Sequence, residues 1–251
     1  ASRYGAVLFC APNAGMYEAW ALIPDNVSWL HYYTVHLGMD LLMFNYRGYN
    51  ESTGVPTPDR IKSDGLAVYD FARRVLCVQH LVLHGESIGG MVATHIAAWE
   101  AKEFSCPVVT TQNPLGQGSG SDGGENGDIE MHSASVARAS NVTLPPRTPV
   151  PEDQPIVKAL VCDRTFASLD SVASRLLGKW AAQGLWYLGC WRTNSISDYT
   201  KFVGTKIILQ DPQDQVVHHF ASLQATGGCG NGGDRRGKHR FFLLLLAQNH
   251  G

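Results

Sequence analysis

Gly85-Glu86-Ser87-Ile88-Gly89 constrains this chain more than any other stretch. Before it runs Leu81-Val82-Leu83-His84, an apolar run of buried-strand type; after it, Gly90 to Trp99 reads as a helix. A serine on a sharp strand-to-helix turn sits in a strained backbone with its hydroxyl exposed. Side chains at 85 and 89 would collide where strand and helix cross closely, so glycine belongs there. The N-terminal N–H groups of the following helix point toward the serine and favour developing negative charge.

The rest of the chain alternates in the same way. Gly5 to Cys10, Asp40 to Tyr46, Val157 to Cys162, Lys206 to Gln210 and Arg240 to Leu246 read as further strands. Asp59 to Leu76 reads as a helix, with Ile61, Leu66, Val68, Phe71, Ala72 and Val75 near helical spacing. Leu169 to Gln183 also reads as helix, as does the later part of Met16 to Leu37. Apolar strands alternating with helices predict an α/β fold, a mostly parallel sheet with helices on both faces. Reactive groups gather beyond the carboxyl ends of such strands. Residues 110–155 are dominated by Gly, Ser, Asn, Asp and Pro without periodicity, and read as a disordered insertion. Residues 225–237 read as a Gly-rich loop, and the whole of 1–251 as one domain.

Composition narrows the function classes. A net charge of -2 gives no global field for nucleic acid or an anionic membrane. Six cysteines are scattered with no C-x-x-C, so neither a disulfide framework nor a zinc site is expected; Cys10 and Cys162 should be buried thiols. No apolar run is long enough to span a bilayer, and no signal peptide opens the chain. These features suit a cytoplasmic-type protein. The chain starts almost directly on a strand, so an N-terminal part that could carry a membrane anchor is expected to be missing.

A serine hydroxyl needs an adjacent base, usually a histidine held in the right tautomer by a carboxylate. Following such a turn, the chain order is serine, acid, histidine. His250 follows the last strand and lies C-terminal to every acid. His218 and His219 come too soon after Asp214, His239 precedes the last strand, and His84 reads as a buried, satisfied histidine. Asp214, in the loop after Lys206–Gln210, is the candidate acid; Asp163, after the preceding strand, is the alternative, with a salt bridge to Arg164 as its plainer role. An oxyanion hole needs two N–H donors. One is Ile88, next to the serine; the other comes from the turn after the first strand, at Asn13 or Ala14. Glu86 is expected to pack or pair behind the serine, and Arg47 with Asp64 to form an ion pair. No cofactor is called for.

Asn13-Ala14-Gly15-Met16-Tyr17-Glu18, Asn45 to Pro56, Gly85 to Gly90 and Asp163 to Leu169 together resemble the α/β-hydrolase superfamily. More narrowly, they look like the α/β-hydrolase-domain branch with lipid-hydrolysing and depalmitoylating members, whose protist relatives are catalogued as prolyl-oligopeptidase-type serine peptidases. The resemblance implies Ser87 as nucleophile, Asp214 as acid, His250 as base, and Asn13 and Ile88 as oxyanion donors. Three features depart from the pattern. Ala11-Pro12 replaces the usual His-Gly, Asp211 the usual glycine before the acid, and the chain stops one residue after His250. Against that pattern, the first strands and the last helix of the fold look absent.

The function expected is a serine hydrolase acting on a small-molecule or lipid acyl ester or thioester. A prolyl-oligopeptidase-type peptidase is the first alternative, although no repeat of propeller-blade spacing occurs. A non-catalytic binding protein on a hydrolase fold is the second, motivated by Ala11-Pro12 and the short end.

Overall fold

The computed structural model describes residues 5–20, 22, 29–105, 148–176, 193–210, 222–223 and 241–245. Six strands form one sheet: β1 (Ala6–Cys10), β2 (Asp40–Met43), β3 (Leu81–Glu86), β4 (Val157–Asp163), β5 (Thr205–Gln210) and β6 (Phe241–Leu245). Every neighbouring pair is parallel, in the spatial order β2-β1-β3-β4-β5-β6. The chain steps outward from β1 to β2, then crosses back and builds the other half from β3 onward. The direction of winding reverses between β1 and β3. A doubly wound sheet opens a crevice at that switch point, beyond the carboxyl ends of its strands.

Parallel strands covered on both faces must be apolar on both, and β1 is buried at every position. Leu8, Leu81, Leu83 and Leu160 pack into one cluster with Met91, Val92, Ile96, Ile61 and Tyr69. Those partners lie on α3 (Pro58–Arg74) and α4 (Ile88–Ser105). Each fully buried large aliphatic side chain there contributes about 1.5–3 kcal/mol. Thr57 starts α3 by accepting from the Arg60 N–H, Pro58 occupies its first turn, and Asp59 and Arg73–Arg74 complement its dipole. The opposite face carries the short α1 (Tyr17–Trp20), then α2 (Trp29–His31) running into a π-helix over Tyr32–His36. There Phe9 meets Trp20 and His84 edge-on at 5.2 Å each.

The predicted strands and helices are present, with shifted ends. β2 stops at Met43, because Asn45 and Tyr46 turn away to bind the segment after β1. β3 runs on through Glu86 by pairing with β4 as far as Asp163. α5 is described over Leu169–Leu176, and the remainder of its predicted span lies outside the described residues. Two helices were not anticipated: the short α1, in the early part of Met16–Leu37, and α6 (Ser195–Lys201), capped by Asn194, whose side chain accepts from the Ser197 N–H at 3.0 Å. Cys10 and Cys162 are buried free thiols, and Arg47 pairs with Asp64 at 2.9 Å.

Of residues 110–155, only 148–155 are described, and they lie against α3. Arg73 donates to the carbonyls of Pro151 (2.6 Å), Glu152 (2.9 Å) and Gln154 (2.6 Å). The rest of that segment and residues 225–237 lie outside the described residues. Among the described residues, no helix is long and apolar enough to cross a membrane.

Candidate active site

Ser87 has φ 55, a left-handed conformation that costs a non-glycine residue free energy. Two hydrogen bonds hold it there. Its N–H donates to the Asp163 carbonyl at 2.9 Å, and its own carbonyl accepts from the Gly90 N–H at 3.0 Å. The close crossing behind it requires glycine. A Cβ at Gly85 would stand 2.4 Å from the Gly89 carbonyl oxygen, and one at Gly89 1.9 Å from that of Cys10. The second contact also shows that the end of β1 abuts the first turn of α4. Within Leu83–Thr94, Ser87 is the one residue not buried. α4 starts at Ile88, so that N–H has no partner within its helix.

Strain concentrates at this edge of the sheet. Among the described residues, the non-glycines with positive φ are Ala14, Asn50, Cys77, Ser87 and Arg164. All but Cys77 lie just beyond the carboxyl end of a strand. Such strain persists only where the surroundings over-determine it, and it clusters at functional sites.

Behind the serine, Glu86 and Asp163 are register partners on β3 and β4, and Arg164 bridges them. Its guanidinium pairs with Glu86, and its Nε lies 3.1 Å from Asp163 Oδ1. Burial pushes the Glu86 carboxyl up and Asp163 adds to this, while Arg164 opposes both. Glu86 therefore pairs behind the elbow, as its position suggested. Asp163 likewise has its plainer partner, Arg164.

His84 lies one turn of strand below. Its Nδ1 is 2.9 Å from the Tyr33 hydroxyl, and its Nε2 is buried without a hydrogen-bond partner among the described residues. Burial pushes its pKa down to about 3, with the Arg164 charge adding to the effect, so the ring is neutral. The Asp163–Arg164 pair was legible in the sequence, but neither the Tyr33 contact nor the Glu86–Arg164 link was, because each joins residues that are neighbours only once the strands are ordered.

The turn after β1 lies on the other side of the switch point. Gly15 N–H donates to the Pro12 carbonyl at 2.9 Å, and Ala14 occupies φ 59. Positive φ at the third position of the turn Pro12–Gly15 is the type II arrangement. Asn13 and Ala14 are exposed on it. Ser87, Ile88, Asn13 and Asp163 thus all lie at the carboxyl edge. Asp214 and His250 lie outside the described residues. The anchors around Asp214 are described: β5 ends at Gln210, and Leu223 N–H donates to the Thr165 carbonyl at 2.9 Å.

No family model matches the chain. A stretch of 71 residues is 37% identical to Protein ABHD12B of Homo sapiens, covering 28% of this chain and 19% of that protein. Among four curated relatives, the matched stretches span only 19% to 31% of the relative's length. Mouse alpha/beta hydrolase domain-containing protein 10 superposes with a TM-score of 0.53 at 14% identity, over 99% of this chain and 82% of that one. The Pyrococcus furiosus esterase Pf2001 gives a TM-score of 0.53 at 11% identity, over 97% of this chain and 72% of that one. The chain has the α/β-hydrolase fold, and within it resembles the α/β-hydrolase-domain proteins.

Proposed function

We propose that this chain forms the catalytic core of a serine hydrolase that cleaves an acyl ester or thioester. The observation that carries the reading is Ser87, strained and accessible, on a glycine-cradled elbow at the topological switch point. Ser87 Oγ attacks the acyl carbon while His250 takes its proton. The tetrahedral oxyanion accepts from the N–H groups of Asn13 and Ile88. His250 then protonates the leaving alcohol or thiol, and water hydrolyses the acyl-enzyme by the same route. Asp214 orients His250. Two facts support it over Asp163: the Asp163 carboxylate is engaged by Arg164, and the segment carrying Asp214 starts and returns at the carboxyl edge.

Labelling with a fluorophosphonate probe tests the reading. Wild type should label and Ser87→Ala should not, with turnover of an aryl ester falling by about three orders of magnitude or more. In the same assay Asp214→Asn should cost about 10⁴ in kcat, through the wrong histidine tautomer. Folded wild type that does not label would make the fold a binding scaffold instead, and a larger loss in Asp163→Asn would move the acid.

A further inference from the structure

The turn proposed to hold the oxyanion follows Ala11-Pro12, and it is held from outside at several points. The strap is the loop that follows β2. Tyr46, fully buried, donates its hydroxyl to the Ala11 carbonyl at 2.9 Å, where β1 ends. Tyr49, packed edge-on against the Tyr46 ring at 5.4 Å, donates to Asn13 Oδ1 at 2.8 Å. The backbone N–H of Ala14 interacts with the same Tyr49 oxygen. Asn45 takes the Tyr17 N–H at 3.0 Å and donates to the Glu18 carboxylate at 3.0 and 2.9 Å. The strap is fixed to the scaffold in turn, because the Arg47 backbone N–H and guanidinium both donate to Asp64 on α3, at 3.0 and 2.9 Å.

We propose that Tyr49, seated on Tyr46, is a positioning residue for the oxyanion hole. Its hydroxyl holds the Asn13 side chain, so that this residue, with its N–H on the Pro12–Asn13 peptide, stays aimed at the acyl oxygen. This inference rests on the reading of Ser87 as nucleophile. The physical need for it is visible in the turn. Ala14 at φ 59 carries a strain that a flip of the Asn13–Ala14 peptide would relieve, since type I and type II turns differ by that flip. Tyr49 holds the Asn13 side chain and so opposes the flip, which would turn over the Asn13 carbonyl and the Ala14 N–H next to the Asn13 N–H. Among the described residues the Asn13 N–H makes no hydrogen bond, which leaves it for the acyl oxygen. An oxyanion donor is effective because it does not reorganise during the reaction, so a residue that freezes the donor acts on kcat.

Tyr49→Phe removes one oxygen and keeps the ring. With p-nitrophenyl butyrate as substrate and active sites counted by fluorophosphonate titration, kcat per site should fall about ten- to a hundredfold. That is less than the ~10²–10³ cost of deleting a donor outright. KM should stay within about twofold, because ground-state binding is untouched. Asn13→Ala, at an exposed turn, should give the same loss of kcat, which keeps the test intact if Tyr49→Phe does not fold. The double variant should be no slower than either single one, since both break the same contact. Tyr69→Phe is the matched control: it removes a phenol oxygen at the far end of α3 and should leave kcat per site unchanged. Wild-type kcat in Tyr49→Phe, or losses that multiply in the double variant, would overturn the positioning role alone. Wild type that neither labels nor turns over would overturn the hydrolase reading, and this inference with it.

Discussion

Two glutamates mark the two ends of the central strands, and they are buried in opposite ways. Glu100, near the C-terminus of α4, is 2% exposed. It accepts from the Tyr69 hydroxyl at 2.7 Å and from the N–H groups of Ile156 and Val157 at 2.8 and 3.0 Å. Glu86, beside the elbow, is 8% exposed, is bound by Arg164, and has its Oε2 buried without a partner among the described residues. Glu100 is saturated and staples α3, α4 and the start of β4 together. Among the described residues, Glu86 shares its one paired cation with Asp163, in a region where Ser87, Ala14 and Arg164 all hold positive φ. Folded proteins satisfy buried polar groups almost everywhere, and the places where they do not are expected to be functional or strained. The amino edge of this sheet is built for stability, and the carboxyl edge spends stability on geometry.

The sharpest way to break that contrast is to remove the staple. Glu100→Ala leaves the Tyr69 hydroxyl and two strand N–H groups buried without an acceptor. The expected loss is about 3 kcal/mol or more, read from urea unfolding. By contrast, kcat per titrated site should not change, because α4 begins some 12 residues away at the elbow. An equal fall in kcat per site would show that the two ends are coupled and that the division is wrong.

How far this division can be read from the chain depends on how local each feature is. β1, β3 and β5 announce themselves because a strand buried on both faces carries a continuous apolar run, here Ala6–Cys10, Leu81–Leu83 and Ile207–Leu209. Ser87 announces itself because its glycines are demanded within five consecutive residues. The carboxyl-edge network does not, since each link joins distant positions: Glu86 and Arg164 are 78 residues apart, Tyr33 and His84 51, Asn13 and Tyr49 36. Those contacts exist only because β4 lies beside β3 and the loop after β2 folds back over β1. α6 escaped for another reason. Its seven residues, Ser195 to Lys201, are too few to show a period and include Ser and Thr, which favour turns and caps over helix interiors. β2 looked longer than it is because Phe44, Asn45 and Tyr46 have strand-like character, but Asn45 binds Tyr17 and Glu18 of α1 and Tyr46 binds the Ala11 carbonyl after β1.

Acid should act more gently and from the carboxyl side. His84 titrates near 6.5 when unfolded and near 3 when folded, so it is neutral in the native state at physiological pH. A depressed native pKa means that the unfolded chain takes up the proton first. The stability His84 supports is whole above pH 6.5 and drains away as pH falls toward 3. The slope is about 1.4 kcal/mol per unit once the unfolded residue is protonated. His84→Gln should flatten the stability profile between pH 6.5 and 5, where wild type loses about 2 kcal/mol. A wild-type profile as flat as that of the variant would mean that His84 takes up a proton in place, through its unpartnered Nε2.

Glu86 has the opposite sign and the smallest effect. Its native pKa is raised, chiefly by burial, so the native state holds the proton more tightly than the unfolded chain does. Its contribution is most favourable below the ordinary carboxylate range and is lost as pH rises through the raised value. At neutral pH a buried, half-compensated charge remains. Glu86→Gln keeps an acceptor for Arg164 and removes that charge. The variant should therefore be more stable than wild type at pH 7, by at most about 1 kcal/mol, with the advantage vanishing below pH 4.5. Arg164 also lies 3.1 Å from the Asp163 carboxylate, which is why the change is small. Glu100→Gln provides the comparison, because its carboxylate is saturated by donors and any neutral replacement must give some of them up. If both substitutions destabilise at pH 7, Glu86 is a staple like Glu100, and the carboxyl edge carries no such cost. If only Glu100→Gln does, the one buried carboxylate that the fold could do without is the one beside Ser87.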